Sequence, residues 1–441
     1  MAPPAVLMVG TGEYTTGFVS GAASTSDKKV GVVGLTLFDL RRRGKVSALS
    51  MAGVSGRKFP AIRQHLQKNI SEAYNGLDVS FSSFPSDDAS DPEAYKAAID
   101  ALPRGSAVTV FTPDSTHYEI AKYAIERGIH VMLTKPATKL LSHHLDLVAL
   151  ARRHGVFVYV EHHKRFDPAY ADARFRARNL GDFNYFYSYM SQPKSQLETF
   201  KAWAGKESDI SYYLNSHHVD ICEWMVRDAG WRPARVRASA SLGISESIGC
   251  AKGTEDTITL LVDWVRKRTT TTTTTSGAAE GDSSTSASTG HEGVATGIYT
   301  ASWTAPMNAG VHSQQHFHYV ASRGEVNVNQ AKRGYDVVDE GDLSGSSLKW
   351  FNPFYMRYAP DEEGNFAGQG GYGYVSFEKF IDAVTAVNEG RVSLEDLDER
   401  GLPTLRNTVL TTAILEAGRR SLDEGCRTVE IVGEGEHVEL K

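Results

Sequence analysis

The chain has 441 residues, 41% of them hydrophobic, and 47 basic against 53 acidic side chains for a formal net charge of -6. That length asks for two hydrophobic cores, and that composition is too apolar for a disordered chain. With no basic excess there is no field to hold nucleic acid or an acidic membrane, so the expected partner is a small molecule met by local charge.

Met1 to Leu7 lacks the charged start and apolar stretch of a secretion signal, and no apolar run approaches a membrane span. Cys222, Cys250 and Cys426 form no CxxC pair, which argues against a disulfide framework and a zinc–cysteine site. A cytoplasmic location is the expectation.

The apolar run Ala5 to Val9 ends in Gly10-Thr11-Gly12, and Phe18, Val19 and Ala22 continue at helical spacing. This predicts strand, tight turn and helix. Asp27 to Gly44 then reads as an insertion lengthening the first crossover. Further strands are predicted at Val46–Val54, Val79–Phe84, Ala107–Phe111, Ile129–Leu133 and Val156–Val160, with helices over Asp91–Leu102, Thr116–Arg127 and Ser142–His154. Alternation of this kind predicts a doubly wound α/β domain, with its binding crevice at the carboxyl ends of the strands.

Beyond Asp167-Pro168 the rhythm changes to longer strands, Thr257–Val265, Ile298–Thr304 and Phe317–Val328, followed by helices near Phe377–Val387 and Leu405–Leu422. The expectation is a Rossmann domain over 1–165 and an α+β domain over 166–441 with a large, mostly antiparallel open-faced sheet. Residues 269–297, rich in Thr, Ser, Gly and Ala, read as a low-complexity loop.

In the turn, Gly10 and Gly12 suit a pyrophosphate because no Cβ keeps the phosphate from the backbone amides. Glu13, Tyr14 and Thr15 complete the predicted cofactor turn, with Thr15 where a third small residue is usual. After the second strand, Val54-Ser55-Gly56-Arg57-Lys58 offers no carboxylate to a ribose. Ser55, Arg57 and Lys58 instead suit a 2'-phosphate, so the expected cofactor is NADP(H), with NAD(H) as the alternative.

Thr112-Pro113-Asp114-Ser115-Thr116-His117, the run Ala124 to Pro136 and the run Glu161 to Tyr170 resemble the glucose-fructose oxidoreductase, inositol dehydrogenase and MocA family. The resemblance implies cofactor contacts at Thr112, Pro113, His117, Thr134, Lys135 and Pro136, and a catalytic role for Lys135 followed by a cis proline. Thr134 stands where the family has Glu. It also implies that Ser211 to Asp220 is the helix bearing the proton relay, with His217 at the family's histidine, Tyr213 in place of its catalytic Asp and Asn215 in place of a Gly. His217 is the expected acid because an imidazole titrates near working pH, and Tyr213 is a second hydroxyl donor. Open-faced sheets in such proteins pair, implying a dimer or tetramer.

The opening residues and the Gly31 to Val46 segment resemble a fungal subgroup of D-galacturonate reductases, which implies NADPH-dependent reduction of a hexuronate aldehyde to L-galactonate. A sugar or cyclic polyol dehydrogenase, or a non-catalytic NADP-binding sugar sensor, are the alternatives. For a sugar-acid carboxylate, Lys164, Arg165 and Arg357 are the expected cations. His218 is placed with the substrate residues, although neighbouring helical positions face differently and a core role suits it. His217, His218, Asp220 and Glu223 do not share one helix face, so no metal is expected.

Overall fold

The computed structural model describes residues 2–19, 21–24, 30–266, 293–307, 311, 313–338 and 348–441. Six short strands form the first sheet: β1 (Val6–Val9), β2 (Leu49–Ala52), β3 (Ser82–Phe84), β4 (Ala107–Val110), β5 (His130–Thr134) and β6 (Val158–Glu161), buried except at the edge strand β3 and the end of β5. They pair in parallel in the order β3-β2-β1-β4-β5-β6. The order reverses between β1 and β4, so the chain leaves neighbouring strands in opposite directions and a crevice opens above their carboxyl ends.

The first crossover differs from the sequence expectation. Only one helical turn, Glu13–Thr16, follows the glycine turn; Gly17 is left-handed and a small hairpin, Phe18–Val19 with Ala22–Ala23, comes next. The segment read as an insertion contains the crossover helix itself, α1 (Val33–Arg42), buried over Val33 to Leu40. The Val32 amide donates to the Tyr14 carbonyl at 2.8 Å, so the helix resumes where the first turn stopped. The true insertion therefore lies between Thr16 and Val32, within the span of one helix. Periodicity missed it because a hairpin with Phe18 and Val19 preserves apolar spacing by accident.

α2 (Phe59–Leu66), a helix over Ala94–Asp100, α3 (His117–Glu126) and α4 (Leu141–His154) cover the remaining four crossovers. α4 carries Leu147, Val148, Leu150 and Ala151 toward the sheet and stops at left-handed Gly155.

A second sheet is built from β7 (Phe183–Pro193), β8 (Arg232–Leu242), β9 (Glu255–Arg266), β10 (Gly293–Ala305), β11 (Gln314–Ala321), β12 (Gly324–Asn329), β13 (Val429–Val432) and β14 (Glu439–Leu440). Its order is β12-β11-β7-β10-β9-β8-β13-β14, antiparallel except for the parallel β7–β10 pair. In β9 the residues Ile258, Leu260, Val262 and Trp264 are buried while Thr257, Thr259, Leu261 and Asp263 alternate with them outward. α5 (Ser216–Val226) and α7 (Val409–Asp423) lie on the inner face. α6 (Tyr372–Asn388) crosses back to the first sheet, where Phe377 stacks on Phe111 at 5.8 Å and Phe380 on Phe157 at 5.9 Å.

The stretch Phe317–Val328 is two strands joined by a tight turn, where one was expected. Of the tract 269–297, residues 269–292 lie outside the described residues, and Gly293–Gly297 already belongs to β10. The glycine-rich run before Tyr374 starts α6 and packs inward: a Cβ at Gly371 would stand 2.5 Å from the Tyr355 carbonyl oxygen.

Candidate active site

The glycine turn caps β1 at the strand-order reversal. Gly10 has φ +108°, and a Cβ there would lie 2.1 Å from the Phe111 carbonyl oxygen, so only glycine lets this loop close on the end of β4. Gly12 has open space where its Cβ would be, leaving a cradle at which a phosphate can approach the backbone. Thr15 is buried, and Gly34 makes the close packing against it, since a Cβ there would sit 2.8 Å from the Thr15 carbonyl oxygen. The small residue missing at position 15 is thus supplied beyond the insertion. Ser55 precedes a short turn, Gly56–Lys58, from which Arg57 and Lys58 are exposed and make no ion pair among the described residues.

Thr112 and Pro113 follow β4, while Thr134 and Lys135 end β5 and are half-buried; the Lys135-Pro136 peptide is cis. His117 differs from the expectation of a cofactor contact. It is 0% exposed, with Nδ1 2.9 Å from the Pro136 carbonyl oxygen and Nε2 3.0 Å from that of Thr112. Its place is to staple the loops after β4 and β5 together.

The Lys135 ammonium donates to the Tyr213 carbonyl oxygen and lies 4.2 Å from the centre of the Tyr213 ring. Tyr213 belongs to a wide helical turn, Ser211–Asn215, that leads into α5, so the same carbonyl that holds Lys135 is one turn before His217. Phe200 and Trp203 pack on the other side of the Tyr213 ring at 5.2 and 5.5 Å, and Gln192 Nε2 is 3.5 Å from its hydroxyl.

His217 is buried, and its Nδ1 has no hydrogen-bond partner among the described residues. Its ring is 5.2 Å from that of His163, which bonds the Glu161 carboxylate at 2.9 Å and stacks on Tyr372 at 5.7 Å. His163 also meets Tyr355 at 5.5 Å; Tyr355 bonds Tyr14 hydroxyl to hydroxyl, and Tyr14 stacks on Phe111 at 5.3 Å. A continuous wall of rings therefore runs from the glycine turn to His217. Sequence reasoning missed Glu161, His163, Tyr355 and Gln192, and met Tyr372 only within the glycine-rich run Gly368–Tyr374 that could line a pocket. Position at the carboxyl end of β6 was a signal for Glu161 and His163.

The expectation that His217 titrates near working pH is overturned. Burial pushes its pKa well below the ordinary imidazole value, and the charges of Lys135, Lys164, His163 and His162 push the same way. It stands as a neutral imidazole at neutral pH.

The four residues expected to meet the substrate do not share an open surface. Arg165 forms a bidentate pair with Asp220, at 2.8 and 2.6 Å, with both side chains 1% exposed. Lys164 is interior, its ammonium held by the carboxamide oxygens of Gln315 and Gln330. His218 is 0% exposed and bonds Tyr170 at 3.0 Å, a core histidine. Arg357 is exposed and donates to the Ala367 carbonyl oxygen at 2.8 Å. Burial excludes direct contact for His218 and Arg165 as they stand.

Among the described residues no helix is long and apolar enough to cross a membrane, and no group of three or more His, Cys, Asp or Glu is arranged to hold a metal ion.

Residues 5–162 match the model of an oxidoreductase family with an NAD-binding Rossmann fold, GFO_IDH_MocA. The chain is 32% identical over 123 residues to scyllo-inositol 2-dehydrogenase (NAD(+)) of Bacillus subtilis strain 168, covering 27% of this chain and 35% of that one. It is 30% identical over 118 residues to scyllo-inositol 2-dehydrogenase (NADP(+)) IolW of the same organism, covering 26% and 32%. These matches span about a third of each relative's length. Among solved structures, GenD2 from gentamicin A biosynthesis in complex with NAD superposes with a TM-score of 0.62 at 19% identity, covering 98% of this chain and 97% of that one. Scyllo-inositol dehydrogenase from Lactobacillus casei with bound NAD(H) and scyllo-inositol gives 0.59 at 13%, covering 97% and 99%. At such identities the likeness is one of fold.

Proposed function

Since residues 5–162 belong to the GFO/IDH/MocA family of oxidoreductases with an NAD-binding Rossmann fold, we propose that the chain is a nicotinamide-dependent oxidoreductase interconverting a hydroxyl and a carbonyl on a small polyhydroxylated molecule. The observation that carries the reading is the convergence at one crevice of the Gly12 cradle, the Lys135 ammonium and the neutral His217. The residues fit a dinucleotide: Gly10 and Gly12 for its pyrophosphate, and the end of β5 with the ring wall for its nicotinamide. When bound, that group exchanges a hydride with the substrate carbon.

The chain's own residues handle the oxygen. The Lys135 ammonium is aimed by its bond to the Tyr213 carbonyl oxygen. Its charge stabilises an oxygen that turns anionic as the hydride moves. His217, neutral at rest, takes the hydroxyl proton in oxidation; in reduction it first takes a proton from solvent and passes it to the substrate oxygen. Tyr213 serves as the platform of Lys135 and holds a hydroxyl beside Gln192. The rings of Tyr14, Tyr355 and His163 exclude water from one side of the crevice.

NADP(H) is the proposed cofactor, supported by the absence of a carboxylate in Gly53–Lys58 and by exposed Arg57 and Lys58. Arg57→Ala is expected to lower the preference for NADP over NAD by roughly tenfold to a hundredfold, the worth of one charged hydrogen bond. Fluorescence titration with both reduced cofactors reads it, and an unchanged ratio removes Arg57 from the site.

For the substrate, we infer reduction of D-galacturonate, or a related hexuronate, to the aldonate. The half-buried Lys135, held by the Tyr213 carbonyl one turn before His217, supplies a positive charge that favours a carboxylate-bearing substrate. A second reading, oxidation of a cyclic polyol or sugar, is favoured by the resting neutral imidazole, which is ready as a base. Following reduced-cofactor absorbance with galacturonate, galactose and myo- and scyllo-inositol separates the two. The expectation is that kcat/KM for galacturonate exceeds that for galactose by about tenfold or more, because the field has no carboxylate to act on in galactose. Turnover of the inositols with none of the uronate supports the second reading, and cofactor binding without any turnover supports a sensor.

A further inference from the structure

A proton that His217 takes from an alcohol must leave again before the next turnover, yet His217 is buried and its Nδ1 has no partner among the described residues. Two nearby histidines are sealed. His162 is 2% exposed, with Nε2 3.7 Å from Asp220 Oδ1, and His218 is bonded to Tyr170 in the core. His163 differs, because its side chain is 12% exposed and its ring centre lies 5.2 Å from that of His217, edge to face. Rings at that separation are within reach of one bridging water.

The chain sets this ring against a carboxylate. Glu161 ends β6 and His163 opens the short helical turn His163–Phe166, so the two side chains meet two residues apart. His163 Nδ1 lies 3.0 and 2.9 Å from the two Glu161 oxygens. A carboxylate only accepts, so Nδ1 carries the hydrogen and Nε2 is left as the basic nitrogen. The Glu161 side chain is itself buried and bonds no other side chain among the described residues. A proton on Nε2 therefore completes an ion pair with it. His217 has no such carboxylate on Nδ1.

The other rings packed on His163 are phenols, Tyr372 at 5.7 Å from α6 and Tyr355 at 5.5 Å. Burial pushes both well above the ordinary phenol value, so they keep their protons. The wall of rings thus shuts out water while containing one ring with a basic nitrogen beside His217.

Building on the oxidoreductase reading, we propose that His163, held by Glu161, is the proton outlet of His217. It acts through His217 and leaves the substrate untouched. In oxidation the alcohol O–H bond breaks and its proton passes to His217, while the C–H hydride leaves carbon for the oxidised nicotinamide. Two electrons leave the alcohol and a carbonyl remains. The proton then moves from His217 to Nε2 of His163 and from there to solvent, and in reduction the path runs inward. The positive charge moves from a ring that no carboxylate holds to one that faces Glu161.

Exchange of the His217 ring N–H with water, read by NMR of full-length protein carrying isotope-labelled histidine, tests the route without substrate. The signal is assigned through His217→Gln. His163→Gln fills the space and can still donate to Glu161, and it is expected to slow the exchange by about tenfold. His163→Ala leaves room for free imidazole, and adding imidazole is expected to restore its exchange. In alcohol oxidation the first cycle of either variant should stay within about twofold of the wild type, because His217 is intact, while steady-state kcat falls by about tenfold to a hundredfold. Imidazole should restore kcat in His163→Ala. Wild-type exchange and kcat in a variant of wild-type circular dichroism overturn the proposal. So does an equal loss in first and later cycles that imidazole leaves unchanged, which makes His163 a packing member of the wall only. If one variant does not fold, the other decides alone. A wild type that turns over no substrate defeats the oxidoreductase reading alone, because the exchange measurement still decides the role of His163.

Discussion

Lys135→Met is expected to lower kcat by about a thousandfold while leaving the affinity for reduced nicotinamide cofactor within a few-fold of the wild type. Methionine fills a similar volume and keeps the packing on the Tyr213 ring, so what disappears is the charge and its donors. The ammonium is aimed by the Tyr213 carbonyl and stands 4.2 Å from the ring centre, a placement that suits the proposed contact with an oxygen gaining negative charge. In the proposed site, cofactor affinity rests chiefly on Gly10, Gly12 and the turn after β2, all on other loops. Steady-state absorbance with a saturating uronate gives kcat, and fluorescence quenching gives the dissociation constant. Turnover within threefold of the wild type would remove Lys135 from the chemistry, whereas joint loss of turnover and cofactor binding would make it a cofactor ligand.

The second large effect is on stability. Asp220→Ala leaves the Arg165 guanidinium buried without its carboxylate, at a cost of about 3–5 kcal/mol. Among the described residues Arg165 then retains the carbonyl oxygens of Gly401 at 3.2 Å and Asn407 at 3.4 Å and the Trp224 ring at 5.6 Å, none of which replaces a carboxylate for a buried charge. Replacing both members, Arg165→Met with Asp220→Leu, should recover most of the loss, because the penalty belongs to the orphaned ion and not to the missing attraction. The pH dependence has a definite sign. Burial alone would raise the Asp220 carboxyl, but Arg165 and His162 hold it below the ordinary value. The pair therefore contributes its stability above the ordinary carboxylate range near 4 and loses it as pH falls through the lower folded value. Urea midpoints at pH 7 and in strongly acid buffer check both statements. A wild-type midpoint for Asp220→Ala at pH 7 would show that the pair carries no net stability.

These expectations differ in how much of their basis could be read along the chain. The six strands of the first sheet, the Gly10-Thr11-Gly12 turn and Lys135-Pro136 are local patterns, in which an apolar run or a glycine already states its conformation. The crossover helix was hidden because residues 17–31 break its repeat, and the small residue that packs against Thr15 turned out to be Gly34. Lys164 and Arg165 were legible as cations at a junction but not as cations already engaged.

Residue type and short-range periodicity thus determined the parallel sheet, the placement of the crevice and the lysine at its edge. Tertiary structure alone decided that Arg165 meets Asp220 across 55 residues and that Tyr14 meets Tyr355 across 341. It alone decided, too, that His217 rests neutral. The reason is physical: backbone conformation is set by neighbours in sequence, whereas the charge state of an imidazole and the partner of a guanidinium depend on the solvent excluded and the charges brought close when distant segments pack.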